Sequence, residues 1–276
     1  MTAIARDHFN ATREMLAHLV RHRRLTWEMA KRDVTERYAG QALGTIWAVG
    51  HPLALMGVYI FMFTYVLKIK IGGTLDMPLD FTTYLLAGLI PWLALQDAMS
   101  KGVNAVTGSA NLVKQVVFPL EILPLKGLFA SLLTQVIATT LLITYVLSNY
   151  GTLPWTFALL PVLWFLQILF AGGICYMLAA IGPYFRDLKD FVQVFCVVGV
   201  YIMPTIYLPA WVPNKLRPLI YANPFSHVIW CFQDVCYFGR IEHPYAWVVF
   251  SVMSVGMFYV GYRLFHRLKI GFGSVL

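Results

Sequence analysis

Charge is the scarcest property of this sequence. Only 12% of its 276 residues are Asp, Glu, Lys or Arg, whereas 59% are hydrophobic. A soluble globular domain normally carries about 25% charged residues and about 45–50% apolar ones. So large an apolar excess cannot all be hidden inside one soluble core of this length. The composition therefore predicts an integral membrane protein whose remaining apolar surface is solvated by lipid.

The sequence also lacks the usual signatures of an enzyme. It has no G-x-x-x-x-G-K-[ST] phosphate-binding loop, and no Gly is followed by Lys anywhere in the chain. If ATP drives this protein, a separate chain must hydrolyse it. The acidic residues and histidines are scattered singly, without paired metal ligands or a catalytic constellation. We therefore expect no catalytic residue, no metal and no cofactor in this chain.

Cysteine is rare, and linkers are missing. The four cysteines do not have the spacing of a metal site. Cys231 and Cys236 lie near the predicted outer face, where a disulfide is conceivable but disfavoured, because residues five apart on a helix point in different directions. No Gly/Ser/Pro-rich linker or repeat divides the chain, so residues 1–276 are expected to form a single transmembrane domain.

Six apolar stretches are candidates for a membrane-spanning helix, which needs about 20 mostly apolar residues. These stretches cover approximately residues 45–67, 82–99, 123–147, 155–181, 191–207 and 245–265. The predicted fold class is thus an all-α membrane protein with six transmembrane helices. Residues 208–240 contain four prolines and several charges, so they cannot form one continuous span. We expect two short re-entrant helices there, dipping into the outer leaflet.

Lysine and arginine are concentrated on one side of these spans. Eight of the 21 precede the first span, and a cytoplasmic N-terminus places sixteen inside and five outside. Positive residues favour the cytoplasmic side, so both termini are predicted to be cytoplasmic in a multi-pass inner-membrane protein. The net charge of +8 is then explained by membrane lipids and does not require nucleic acid. Residues 14–40 predict an amphipathic helix along the inner surface, or more simply a positive anchor.

Short motifs occur in a distinctive order along nearly the whole chain. The first runs from Lys31 to Tyr38 and continues with Gly44, Trp47 and Pro52. The later motifs are Asn111-Leu112-Val113-Lys114, Val117-Phe118-Pro119, Arg186-Asp187 and Asn223-Pro224. This order resembles the polysaccharide-exporting permeases of ABC transporters, the membrane subunits that move O-antigen, teichoic acid and capsule precursors. Gln41 departs from that family's pattern, in which a serine is usual nearby.

The resemblance implies a coupling helix in the cytoplasmic loop of residues 101–122. In such transporters this helix sits in a cleft of a separate ATPase subunit, which binds ATP and Mg²⁺. The coupling residues would be Asn111, Leu112, Val113 and Lys114. The local sequence is compatible, since residues 108–111 offer a helix start and Pro119 a stop. The alternative is an ordinary solvated loop.

Two further sets of residues are candidates for contact with a transported glycan. A lipid-linked glycan carries a pyrophosphate, for which Arg and Lys are natural ligands. The candidates at the inner interface are Lys31, Arg32, Arg37 and Tyr38, with lipid headgroups or subunit docking as alternatives. Sugar rings pack well on aromatic faces, and the candidates for a channel wall are Tyr59, Phe63 and Trp92. For these aromatics, packing or an interfacial belt is the alternative.

The sequence therefore predicts the transmembrane subunit of an ATP-driven exporter for a polyprenyl-pyrophosphate-linked surface polysaccharide, with O-antigen as the first candidate. Two permease copies would pair, and two ATPase chains would dock below them. One alternative is a permease of the same architecture for a drug or a lipid. An ion-coupled carrier is disfavoured because charged groups are scarce at membrane depth. A membrane enzyme handling polyprenyl phosphates would need an acidic or histidine cluster, and none is visible.

Overall fold

The computed structural model describes residues 23–37, 39–41, 44–67, 77–115 and 119–275, and every regular element in these residues is a helix. The helices are α1 (Arg23–Arg37), α2 (Trp47–Ile60), α3 (Phe81–Val103), α4 (Ala110–Gln115), α5 (Ile122–Tyr150), α6 (Leu160–Ile181), α7 (Leu188–Ile202), α8 (Arg217–Ala222), α9 (Pro224–Gln233), α10 (Pro244–Leu268) and α11 (Phe272–Val275). Helices α2 and α9 continue as π-helical turns at Phe61–Val66 and Asp234–Phe238. The predicted all-α class is confirmed for the described residues.

Among the described residues, three helical segments are long and apolar enough to cross a membrane. They are Ile122–Tyr150, Trp155–Ile181 and Pro244–Val275, which include α5, α6 and α10. Helices α2 and α7 are shorter, with 14 and 15 residues. Helix α3 has 23 residues but is not among the three. These lengths fit a multi-pass membrane protein, whereas the total of six crossings stays a prediction.

Helix α3 lies at the centre of the bundle and packs against α5, α6, α7 and α9. Most of its side chains are buried inside the protein. Asp80 caps its first turn, because the carboxylate accepts the backbone N–H of Thr83 at 3.3 Å. Gly88 lets α9 approach α3 closely, since a Cβ on Gly88 would lie 2.9 Å from the side chain of Ile229.

Helices α6 and α10 form a close crossing through two glycines. A Cβ on Gly261 would lie 2.1 Å from the carbonyl oxygen of Gly173, and a Cβ on Gly173 would lie 2.3 Å from the backbone of Met257. No side chain fits at either position. Small residues let helix backbones approach closely, and dispersion contacts then hold two apolar helices together where the hydrophobic effect is absent.

The segment between α7 and α10 is broken into short helices, as its prolines require. A single 3₁₀ turn (Pro209–Trp211) precedes α8 and α9, and Asn223 caps α9 by accepting the backbone N–H of Phe225 at 3.0 Å. All four cysteines are free and buried, so the disulfide considered for Cys231 and Cys236 is absent. Entry of α8 and α9 into the outer leaflet stays a prediction.

Candidate functional site

The short helix α4 lies in the loop between α3 and α5. The residues that lead into α4 are held in place by two features. The Gly108 N–H donates to the carbonyl of Asn104 at 2.8 Å, and the side chain of Val106 is fully buried. Asn111 is exposed and Leu112 is half-buried. The side chains of Val113 and Lys114 lie outside the described residues. The predicted coupling residues thus form a helical turn on a short connection, and their contact with an ATPase stays a prediction.

The C-terminal segment braces this connection. The Nζ of Lys269 lies 2.6 Å from the Oε1 of Glu121, just before α5. Helix α11 contacts α4, and Phe272 is fully buried against Phe265 at 5.5 Å between ring centroids. The Tyr184 hydroxyl donates to the carbonyl of Leu268 at 3.1 Å. A displacement of the α3–α5 connection would therefore reach α10 through direct contacts.

A charged network joins α1 to α3 and α5. The ammonium of Lys101 lies 3.2 Å from the Oδ2 of Asp33 and 3.1 Å from the Oδ2 of Asp97. The hydroxyl of Ser131 donates to Asp97 at 2.8 Å. A Cβ on Gly127 would lie 2.7 Å from the Lys101 side chain, so a glycine is needed there. This network was missed in the sequence because its members come from three separate segments.

The cations predicted to meet a pyrophosphate have local partners within α1. The Nζ of Lys31 lies 3.0 Å from Glu28, and the Nε of Arg32 lies 2.6 Å from Glu36. The hydrogen bond from Arg32 to Glu36 raises the pKa of the guanidinium above its ordinary value. Exposed pairs of this kind contribute little, so both cations can change partner. Two further candidates lie outside the described residues, the Arg37 side chain and Tyr38.

Two of the predicted channel aromatics lie on the second half of α2 and its π-helical turn. The rings of Tyr59 and Phe63 are stacked with their centroids 6.4 Å apart. The ring of Phe63 also lies 5.6 Å from that of Phe81. Both side chains are half-buried, so each leaves part of its ring accessible.

Trp92, the third predicted channel aromatic, lies in the core of the chain. Its side chain is fully buried, and its ring packs edge-on against Phe195 at 6.1 Å and Phe225 at 5.7 Å. A Cβ on Gly199 would lie 2.4 Å from the indole. The large ring thus fills the space between α3, α7 and α9, and its place on a channel wall stays a prediction.

A buried carboxylate holds the broken segment at the opposite end of the bundle. Asp234 is 1% exposed and accepts hydrogen bonds from the His243 backbone N–H at 3.0 Å and the Trp247 Nε1 at 2.9 Å. The Nδ1 of His243 lies 2.7 Å from its other oxygen. Thr156 donates to the carbonyl of Val235 at 2.7 Å. The segment is thus fixed against α10 and the start of α6, and Asp234 has a structural role.

In the part of the chain that the structure describes, no three His, Cys, Asp or Glu residues come together as metal ligands. The features that distinguish the chain are instead a helical bundle, a braced short helix at one end and a broken segment at the other.

Comparisons with known proteins agree with this description. The model of the ABC-2 type transporter family matches residues 24–237. The chain is 26% identical over 251 residues to the O-antigen export system permease protein RfbA of Klebsiella pneumoniae, with 90% of this chain and 93% of that protein covered. It is 26% identical over 263 residues to the RfbA permease of Myxococcus xanthus, covering 94% and 98%.

A third relative is named for the transport of a different polysaccharide. The chain is 21% identical over 238 residues to the polysialic acid transport protein KpsM of Escherichia coli, covering 85% of this chain and 89% of that protein. Permeases of this family are not enzymes themselves and work with a separate ATPase subunit. Because the family model spans most of the sequence and the helices are those of a multi-pass membrane protein, this chain belongs to the ABC-2 type transporter family as a permease subunit.

Proposed function

We propose that this chain is the transmembrane subunit of an ATP-driven exporter that moves a polyprenyl-pyrophosphate-linked surface polysaccharide, O-antigen first among the candidates. The observation that carries the proposal is similarity along 90% of the chain to a permease named for O-antigen export. The polysialic acid relative supports a polysaccharide as the class of cargo. A drug or simple lipid as cargo has no such support.

In the proposed arrangement, six helices cross the inner membrane and both termini are cytoplasmic. The crossing helices are α2, α3, α5, α6, α7 and α10. The excess of Lys and Arg in the segments assigned to the inside supports this orientation. The loop that carries α4 then faces the cytoplasm, where an ATPase can reach it, and the broken segment with α8 and α9 lies at the outer leaflet.

Helix α4 is the proposed contact with the ATPase. Asn111 is exposed on it, and the connection before α5 is tied to the C-terminal segment by the ion pair between Lys269 and Glu121. A push on α4 would move α3 and α5 directly and α10 through this brace. Rigid elements joined by charged contacts can transmit such a displacement without local unfolding.

Aromatic side chains supply the proposed glycan path. Beyond Tyr59 and Phe63, the same helical segment exposes 59% of Phe61 and 67% of Tyr65, and these two rings are stacked at 6.3 Å. Aromatic faces can pack against sugar C–H groups without a fixed charge, so a glycan could slide along them. A second copy of the chain would supply the opposite wall.

The proposed site for the pyrophosphate is α1, where Lys31 and Arg32 are exposed. Their partners Glu28 and Glu36 hold them by weak surface pairs, which a doubly charged group can replace. Arg37 and Tyr38 follow directly in the sequence. This placement puts the reducing end of the glycan at the inner interface before transport.

Two exposed asparagines provide a test of the coupling role. Replacing Asn111 on α4 with Trp should leave the permease inserted but unable to retain its ATPase during co-purification. The matched control, Asn214→Trp, changes an exposed asparagine in the broken segment and should retain the ATPase. In cells, Asn111→Trp should make the lipid-linked glycan accumulate in the inner leaflet. Equal ATPase retention by both variants, with normal surface glycan, would contradict the proposal.

A further inference from the structure

Helix α10 turns one face to the protein and the opposite face outward. Its buried residues recur every three or four positions, and the helix packs against α6 and α9. On the opposite face, the side chains of Val248, Val252 and Val255 are each more than half exposed. A Cβ on Gly256 would meet no atom within 4 Å, so this glycine leaves a shallow groove beside the valines. The outward face of α10 is therefore an apolar strip with room for an aliphatic chain.

The same face ends in a pair of arginines. Arg263 and Arg267 lie one turn apart, and Arg267 is exposed. The guanidinium of Arg263 lies over the ring of Tyr259, 5.0 Å from the ring centroid, and this contact holds it against the helix. Like charges four residues apart on a helix repel each other, and the sequence after Glu242 contains no Asp or Glu. An anion from outside this helix would therefore relieve the repulsion.

The length of α10 places the two arginines near a membrane interface. Its 25 residues extend about 38 Å at about 1.5 Å per residue, whereas the hydrocarbon layer is about 30 Å thick. Arg263 lies about 8 Å from the end of the helix at Leu268, so its long side chain can reach the level of lipid phosphates. This step rests on the proposed function, in which that end of α10 lies at the inner leaflet.

Two other occupants fit this face less well than a bilayer lipid. Two copies of the chain share one orientation in a membrane, so a symmetric contact between their α10 helices would bring each Arg263 towards its counterpart at the same depth, where like charges repel. The exported substrate is disfavoured by position. The proposed glycan path lies on α2, which packs against α3 and α5, whereas α10 packs against α6 and α9.

We propose that the outward face of α10 binds an anionic phospholipid of the phosphatidylglycerol class. Its phosphate lies between the guanidiniums of Arg263 and Arg267, each of which can donate two N–H groups to phosphate oxygens. One acyl chain lies along Val252 and Val255, over the groove at Gly256. An ethanolamine headgroup is disfavoured, because its ammonium would bring a third cation to the arginine pair.

The test measures which lipid stays on the full-length permease after reconstitution in vesicles of equal phosphatidylglycerol and phosphatidylethanolamine content. After mild detergent extraction, native mass spectrometry identifies the retained lipid. We expect the unaltered protein to retain phosphatidylglycerol selectively. Arg263→Gln should lower this preference by about tenfold, the effect of one hydrogen bond to a charged group. The matched control Arg24→Gln removes an exposed arginine of α1 and should leave the preference unchanged.

Two further variants keep the proposal open to refutation. Arg267→Gln changes an exposed residue and decides the matter if Arg263→Gln does not fold, as judged by size-exclusion chromatography. Equal retention of the two lipids by the unaltered protein, an equal loss of preference in Arg24→Gln, or displacement of the lipid by a polyprenyl diphosphate would overturn the proposal. Oxidative cross-linking of Val252→Cys between two copies would also overturn it, and the four native cysteines are buried. Because no ATPase or glycan is present, failure of this test is distinct from failure of the proposed function.

Discussion

The crossing of α6 and α10 allows a sharp test of how the bundle is held together. Gly261 and Gly173 face each other there, and a methyl group at Gly261 would lie 2.1 Å from the Gly173 carbonyl oxygen. The two backbones would have to separate by more than 1 Å before the contact became an ordinary one of about 3.4 Å. Gly261→Ala should therefore weaken packing along the whole crossing.

The magnitude follows from two opposing effects. Replacing Gly by Ala inside a helix is worth about 1 kcal/mol in helix propensity, whereas forcing an extra carbon into a packed interface typically costs about 1–3 kcal/mol. The control is Gly256→Ala on the same helix, where the new methyl group meets no atom within 4 Å. Both variants gain the propensity term, so the difference in their free energies of unfolding isolates the packing cost.

The assay is reversible unfolding in mixed detergent micelles, followed by circular dichroism. We expect Gly256→Ala to be as stable as the unaltered protein or slightly more stable. We expect Gly261→Ala to be about 1–3 kcal/mol less stable than that control. Gly173→Ala should behave like Gly261→Ala, and the double variant should cost less than the two single changes together, because the residues share one contact. Equal stability of the Gly261 and Gly256 variants would refute the close crossing.

Three other changes test separate parts of the account. Trp92→Ala should destabilise the permease by about 3–5 kcal/mol, because it empties a fully buried site, and unaltered unfolding in detergent would contradict this core role. Lys269→Glu should reduce stimulation of the partner ATPase several-fold, and the reversed pair with Glu121→Lys should restore it; no recovery in the swapped pair would exclude the brace. Tyr59→Ala should slow glycan export without lowering stability by more than about 1–2 kcal/mol, whereas normal export would remove Tyr59 from the path.

The helical class was predictable because apolar runs of span length have few other solutions. The predicted limits at residues 123–147, 155–181 and 245–265 lie within a few residues of the observed helices. The prolines of residues 208–240 predicted short helices, since proline removes a donor and blocks the preceding turn. In contrast, the central position of α3 was not predictable, because its burial comes from contacts with four other helices.

The site could be predicted only where its residues are close together in the sequence. The α4 helix was implied by the family resemblance, and residues 108–111 and Pro119 are compatible with it. The brace between Lys269 and Glu121 joins residues that are 148 positions apart. The structural role of the Asp234 carboxylate could not be predicted, because its partners lie in the next helix and just before it. The burial of Trp92 was not predictable, because the aromatic content of a helix does not tell which of its faces meets protein.

The most direct test of the central claim is reconstitution of this permease in proteoliposomes with its partner ATPase and a fluorescent polyprenyl-pyrophosphate-linked glycan. The measurement is the fraction of glycan that crosses the bilayer on addition of ATP and Mg²⁺. We predict transfer that requires both chains and stops when ATP hydrolysis is blocked. Transfer by the permease without ATPase, transfer that follows an ion gradient at constant ATP, or nucleotide hydrolysis by the permease on its own would contradict the account.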